Sequence, residues 1–73
     1  MKIQRSIIKG RTLEVVKLVA EGLTSFEIGQ RMDIKENTVN SHRQTAMRLL
    51  RVNNAKDLVK VAIQEGLLTI DKK

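Results

Sequence analysis

Residues 24–50, TSFEIGQRMDIKENTVNSHRQTAMRLL, have the residue spacing of a short helix, a tight turn and a longer helix. Four apolar residues of the stretch fall where two crossing helices would share an interior: Ile28, Met32, Ile34 and Val39. Gly29 has no Cβ atom, so a second helix can approach it closely. Asp33 falls in the turn, where a short polar side chain tolerates a left-handed backbone better than most. The stretch therefore predicts a helix-turn-helix.

The rest of the sequence predicts two further helices around this unit. Apolar residues recur at helical spacing before Gly22, and a second amphipathic stripe follows Asn54. Proline is absent and Phe26 is the one aromatic residue, which favours helices over strands. We expect an all-α domain of four helices, at residues 11–21, 24–32, 37–52 and 54–67. The inward stripe of the first helix is predicted to be Leu13, Val16 and Ala20, widened by Val15 and Val19.

Length and composition limit the kind of protein. The chain has 73 residues, which make one small domain with a core that needs good packing or a partner. It has no cysteine and one histidine, so neither a disulfide nor a zinc site is expected. No glycine-rich phosphate loop and no nucleophile beside a base is evident, so we expect neither an enzyme nor a cofactor.

No stretch of the sequence predicts export or membrane insertion. The first ten residues are basic but lack the continuous apolar core of a signal peptide. No apolar run approaches the length that spans a bilayer. We therefore expect a cytoplasmic protein with no membrane partner, which agrees with the absence of cysteine.

The charge of the chain favours a polyanionic partner. The chain has fourteen lysines and arginines and eight acidic residues, which gives a formal net charge of +6. Residues 37–56 contain several basic residues and no acid. Such a run is usually only a solvated face. Here it coincides with the second helix of the predicted helix-turn-helix, which favours contact with nucleic-acid phosphates.

The third predicted helix carries a polar, acid-free row on its outward side. The row consists of Asn37, Asn40, Ser41, Gln44 and Arg48. Asparagine and glutamine side chains can pair with adenine, and arginine with guanine or phosphate. An ordinary solvent-exposed face would look the same in isolation. Beside the helix-turn-helix pattern and the charge, direct reading of bases in the major groove is the favoured interpretation.

The start of the second predicted helix also suits a phosphate. Thr24 and Glu27 have the spacing of a capping box, in which each side chain bonds the backbone amide of the other. The free amides of a helix start attract anions. Both roles can coexist, because the cap fixes the helix end that would meet the DNA backbone.

His42 and the fourth helix each leave two interpretations open. His42 follows Val39 on the inner flank of the third helix, where it could bridge helices or contact a phosphate. The fourth helix has an apolar stripe that could pack wholly on the core or leave a strip for a second copy of the chain. Its residues are Leu58, Val59, Ala62 and Ile63.

A series of short motifs follows in order along the chain. They are Glu14-Val15-Val16, Glu21-Gly22-Leu23-Thr24, Glu27-Ile28, Thr38-Val39, His42, Val52 and Asn54. In this order and spacing they resemble the LuxR/GerE-type DNA-binding domain, over about residues 8–68. The resemblance implies a four-helix helix-turn-helix domain whose third helix reads the major groove, whose fourth helix often makes a dimer contact, and which regulates transcription.

The resemblance also implies roles for individual residues. At matching positions, Asn40, Ser41 and Gln44 would face bases. Backbone contacts would come from Thr24, Ser25, Thr38 and Arg43. To these the outward row adds Asn37 as a base contact and Arg48 as a backbone contact. The predicted dimer contacts are those of the fourth-helix stripe.

The sequence departs from the family's usual residues around the third helix. Lys35 stands where a serine or threonine usually caps this helix. Leu49-Leu50-Arg51 replaces a Lys-Leu-Gly triplet near its end, so Arg51 occupies the place of a glycine.

We therefore expect a LuxR-type helix-turn-helix DNA-binding domain at residues 10–70, with a basic arm at 1–9 and a polar tail at 71–73. It would bind double-stranded DNA as a homodimer and regulate transcription, with RNA polymerase or another regulator as further candidate partners. Two alternatives remain open: a sigma-factor-like promoter-binding domain, and a protein-interaction module on the same scaffold.

Overall fold

The computed structural model describes residues 8–68, which form four α-helices and no strand. The helices are α1 (Gly10–Ala20), α2 (Ser25–Met32), α3 (Glu36–Leu50) and α4 (Ala55–Gln64). The all-α helix-turn-helix predicted from the sequence is confirmed. The first seven residues of the predicted basic arm and the predicted polar tail 71–73 lie outside the described residues.

The helices α1 and α3 lie at the centre of the domain, and each of them contacts the other three helices. The buried side chains of the domain form two groups. One group joins α1, α3 and α4 through Ile8, Val16, Ala46, Leu50, Leu58 and Ala62. The other joins α1, α2 and α3 through Val15, Leu18, Ile28 and Val39. Burial of each larger side chain among these contributes about 1.5–3 kcal/mol.

The neighbours Val15 and Val16 belong to different groups, so α1 is buried over a wide arc. This arc corrects the stripe predicted for α1. Leu18 is buried, with 3% of its surface exposed, although it was left out of the prediction. Ala20, which was included, is exposed at the end of the helix. A helix that packs against partners on two sides does not show one narrow apolar stripe.

The four helices end in the same way, with a left-handed residue followed by an apolar one. The left-handed residues are Gly22, Asp33, Arg51 and Gly66, with φ between 59° and 95°. The apolar residues that follow are Leu23, Ile34, Val52 and Leu67, and each packs against the core. Each donates its amide to a carbonyl five residues earlier, at 2.9–3.2 Å. This arrangement is the Schellman motif, which satisfies the last carbonyls of a helix.

The departures predicted around the third helix have visible consequences. Lys35 is the N-cap of α3 and its side chain makes no capping hydrogen bond. Arg51 ends α3 in the left-handed conformation, with φ 62°, which glycine adopts without steric cost. Both ends of α3 therefore lack the residue types that stabilise them best.

The apolar stripe of α4 divides between the core and the surface. Leu58 and Ala62 have no exposed surface, so they belong to the core of this chain and are not available to a second copy. Val59 and Ile63 are partly exposed. Of the four predicted dimer contacts, these two remain on the surface.

Candidate nucleic-acid interface

The predicted outward row of α3 lies on the surface. Asn37, Ser41, Gln44 and Arg48 are exposed and stand three to four residues apart, so they line one side of the helix. Thr38 is also exposed, whereas Asn40 is half-buried next to α2. The side chains offer hydrogen-bond donors and acceptors, and this part of α3 has no acidic residue after Glu36. The row can therefore meet a polyanion without like-charge repulsion.

The start of α2 has the predicted capping box. The Thr24 Oγ1 atom accepts from the Glu27 amide at 3.2 Å, and the Thr24 amide donates to Glu27 Oε1 at 2.8 Å. The cap leaves the amides of Ser25 and Phe26 in the first turn, where a helix has no acceptors of its own. An anion can bind such amides, which carry the positive end of the helix dipole.

Ser25 connects this helix start to α3. Its hydroxyl donates to Asn40 Oδ1 at 2.6 Å, and Arg43 Nη1 donates to the same Ser25 oxygen at 3.1 Å. Three residues predicted separately as DNA contacts are thus bonded to one another. The bonds join residues 15 and 18 positions apart, and no spacing in the sequence signals them.

His42 bridges helices, as one of its two interpretations proposed. Its Nδ1 atom lies 3.2 Å from Thr12 Oγ1, which links α3 to α1. The histidine is half-buried on the side of α3 that faces α1. It therefore holds the orientation of α3 on the scaffold. The role of Thr12 was not predicted from the sequence, because a single threonine in a helix gives no signal of a partner 30 positions away.

Within residues 8–68 there is no group of three or more histidine, cysteine, aspartate or glutamate side chains that could hold a metal ion. None of the helices there is long and apolar enough to cross a membrane.

Comparison with known proteins decides the family. The model of the bacterial regulatory proteins of the luxR family, GerE, matches residues 10–62, which include all of α1, α2 and α3 and most of α4. The chain belongs to the LuxR family. The expected LuxR/GerE resemblance is thereby confirmed, and the helix-turn-helix described above is the LuxR-type domain.

Relatives of this LuxR-family domain come from several bacteria. The Uncharacterized response regulatory protein YgeK of Escherichia coli (strain K12) is 33% identical over 63 residues, which are 86% of this chain and 43% of that protein. The Transcriptional activator protein AnoR of Acinetobacter nosocomialis is 39% identical over 61 residues, 84% of this chain and 26% of that protein. The Transcriptional regulatory protein YdfI of Bacillus subtilis (strain 168) is 36% identical, with shares of 97% and 34%.

The LuxR-family chain thus spans less than half the length of these three relatives. No solved structure matches it significantly. The family and the named relatives are regulators rather than enzymes. These similarities support a DNA-binding, helix-turn-helix role in the regulation of transcription.

Proposed function

We propose that this domain binds specific sequences of double-stranded DNA through α3 in the major groove and thereby regulates transcription. One observation carries the proposal: an acid-free polar row on α3, exposed except for the half-buried Asn40, lies beside a capped helix start on α2, and Ser25 of that start bonds Asn40. A helix-turn-helix places its second helix in the groove while the first meets the backbone. A regulator of this kind acts where the chromosome is, so the proposal includes a cytoplasmic location.

The proposed contacts divide into two classes. Bases are read by Asn37, Asn40, Ser41 and Gln44. Phosphates are met by Thr24, Ser25, Thr38, Arg43 and Arg48. Base contacts give specificity, whereas phosphate contacts position the protein and make the affinity depend on salt.

We further propose that the domain acts as a homodimer through α4. Val59 and Ile63 line an open groove of about 650 Å³; its other lining residues are Lys17, Ala20, Glu21, Leu67 and Leu68. Association of two copies would bury the apolar side chains of this groove. The added burial would stabilise a domain whose own core is small. Leu58 and Ala62 belong to the buried cluster against which Leu67 and Leu68 pack.

The test of this function is selection of bound duplexes from a randomised DNA library by the purified chain. We expect an enriched inverted repeat with half-sites about 10 base pairs apart, which is one helical turn. A single enriched half-site would support sequence-specific DNA binding and contradict the proposed dimer. A folded chain that enriches no sequence would overturn the proposal.

Gln44→Ala in the same selection separates base reading from general affinity. We expect loss of preference at one base-pair position and nearly unchanged binding to random duplexes, because Gln44 is exposed in the middle of the row. An equal loss on target and random DNA would reject the base-reading role of Gln44. Lys60→Ala, an exposed residue of α4, is the control for loss of a polar side chain.

A second function, binding of a protein partner such as RNA polymerase or another regulator, is favoured by Phe26. This side chain is the large apolar residue that the described part of the chain exposes, with 57% of its surface accessible. Exposed aromatic residues are frequent in protein interfaces. Phe26→Ala should then lower activation of transcription while leaving DNA affinity unchanged. The family membership favours these two functions over the sigma-factor alternative.

A further inference from the structure

We infer that Ser25 is a positioning residue for base recognition: it fixes the Asn40 side chain so that its amide nitrogen donates to guanine in the major groove. The inference rests on the proposed function, since it names the base that one contact residue of that function reads. It also assigns to Ser25 a role other than the phosphate contact expected from the sequence.

The direction of the two hydrogen bonds follows from the chemistry of the groups. The guanidinium of Arg43 has only donors, so the Ser25 oxygen must accept from it. The single hydroxyl proton of Ser25 is then free to point at Asn40. The distance of 2.6 Å to Asn40 Oδ1 is typical of O–H···O bonds and short for N–H···O bonds. The hydroxyl oxygen could accept a second bond, so it is the short distance that assigns the nearer Asn40 atom as the oxygen.

The bond restricts what Asn40 can offer to a base. Reading adenine needs the amide oxygen and nitrogen together, the oxygen accepting from N6 and the nitrogen donating to N7. In this structure Ser25 occupies one of the two lone pairs of that oxygen and fixes the amide, whereas both hydrogens of Nδ2 stay available to a base. Guanine carries two adjacent acceptors, O6 and N7, on its major-groove edge. The geometry thus favours guanine and disfavours adenine.

Ser25 cannot give the same proton to a phosphate while it bonds Asn40. Its phosphate contact is then made by its backbone amide, in the first turn of α2. Arg43 completes the arrangement, because the bond from its Nη1 holds the Ser25 oxygen and turns the hydroxyl proton toward Asn40. Because the Asn40 side chain is already held in place before DNA binds, it loses less rotamer entropy on binding.

The first test needs no DNA. Nitrogen-15 relaxation of the Asn40 side-chain amide should give an order parameter close to that of rigid backbone, about 0.85. In Ser25→Ala it should fall below about 0.6, and Ser25→Thr, which keeps the hydroxyl, should restore it. Gln30, an exposed amide on α2, is the internal reference for a free side chain. A mobile Asn40 amide in the unchanged protein overturns the inference.

The second test is binding-site selection with the unchanged protein, Ser25→Ala, Ser25→Thr and Asn40→Ala. Asn40→Ala identifies the position that this residue reads, and we expect guanine there, preferred over adenine by roughly tenfold. Ser25→Ala should reduce that preference to about threefold or less while preferences elsewhere stay intact, and Ser25→Thr should retain it. The double variant should match Asn40→Ala, since Ser25 acts through Asn40.

The outcomes separate this inference from the proposed function. An enriched site with adenine at the Asn40 position, or an equal loss of affinity on all duplexes in Ser25→Ala, overturns the inference and leaves sequence-specific binding standing. If Asn40→Ala leaves the enriched site unchanged, the inference is likewise overturned and sequence-specific binding stands. A library without any enriched sequence overturns both. Thermal unfolding of each variant confirms that the compared proteins are folded.

Discussion

The carbonyl oxygen of Ile34 lies only 2.7 Å from the place that a Cβ atom on Gly29 would occupy. The Ile34 amide also donates to the Gly29 carbonyl oxygen at 2.9 Å, so the chain folds back tightly over this glycine. The contact is between backbone atoms, which cannot move aside as a flexible side chain would. The approach of α3 to α2, and with it the geometry of the whole interface, depends on the missing side chain.

Gly29→Ala should therefore lower the free energy of unfolding by about 1–2 kcal/mol. Alanine gains roughly 1 kcal/mol of helix propensity, but the clash with backbone costs more than that. Urea denaturation measures the difference. The matched control is Gln30→Ala, the exposed next residue of the same helix, which should change stability by less than about 0.5 kcal/mol. Equal stability of Gly29→Ala and the unchanged protein would contradict the close approach.

Asp33→Gly should raise the free energy of unfolding by about 1 kcal/mol. Asp33 has φ 59° and ends α2, where glycine adopts the left-handed conformation without steric cost and where a negative charge opposes the helix dipole. Asp33→Asn removes the charge alone and should gain only a few tenths of a kcal/mol. Thermal unfolding of the three proteins ranks them. A glycine variant less stable than the asparagine variant would show that the conformation is not the limiting factor.

Removal of the two helix caps Thr24 and Asn54 should lower stability by similar amounts but affect DNA binding differently. Each accepts a hydrogen bond from the amide three residues on, in Asn54 from Asp57 at 2.8 Å. Replacement of either by alanine should lower stability by about 1 kcal/mol. Only Thr24→Ala should also weaken DNA binding, measured by fluorescence anisotropy where both variants are folded. An equal loss of affinity in Asn54→Ala would place α4, too, at the DNA.

Arg48→Ala should reduce the steepness with which DNA affinity falls with salt. An exposed arginine that meets one phosphate contributes about one unit to the slope of log affinity against log salt. Base preferences should stay the same, because phosphate contacts carry no sequence information. Titrations between low and moderate salt measure the slope, with Lys60→Ala on α4 as the charge-matched control. A changed base preference with an unchanged slope would make Arg48 a base contact instead.

Val59→Glu should convert the proposed dimer to a monomer. The substitution places a carboxylate in the groove between α4 and α1, which Lys17 and Glu21 also line, and removing this charge from water on association costs more than a pairing with Lys17 returns. Lys60→Glu, at the exposed next position, should leave the dimer intact. Sedimentation equilibrium gives the masses. A monomeric unchanged protein at high concentration, on DNA as well as free, would remove the dimer from the proposal.

The sequence alone is enough to predict the architecture, because the signals for it are local. Helical spacing of apolar residues, the Thr24 and Asn54 caps, and the glycine at position 29 act within a few residues of themselves, so the order of four helices and the tight turn could be predicted. The departures from the family, Lys35 and Arg51, were also found in the sequence. Their consequences at the ends of α3 follow from rules for single positions.

The contacts between side chains of different helices, in contrast, could be seen only in the folded chain. Leu18 is buried and Ala20 exposed because α1 packs against partners on two sides, and Leu58 and Ala62 face the core because of the way α4 lies on α1 and α3. The bonds from Ser25 to Asn40 and Arg43 depend on where α2 crosses α3. Periodicity identifies the face of a helix, whereas the rotation and crossing of two helices are set by the packing of the whole core.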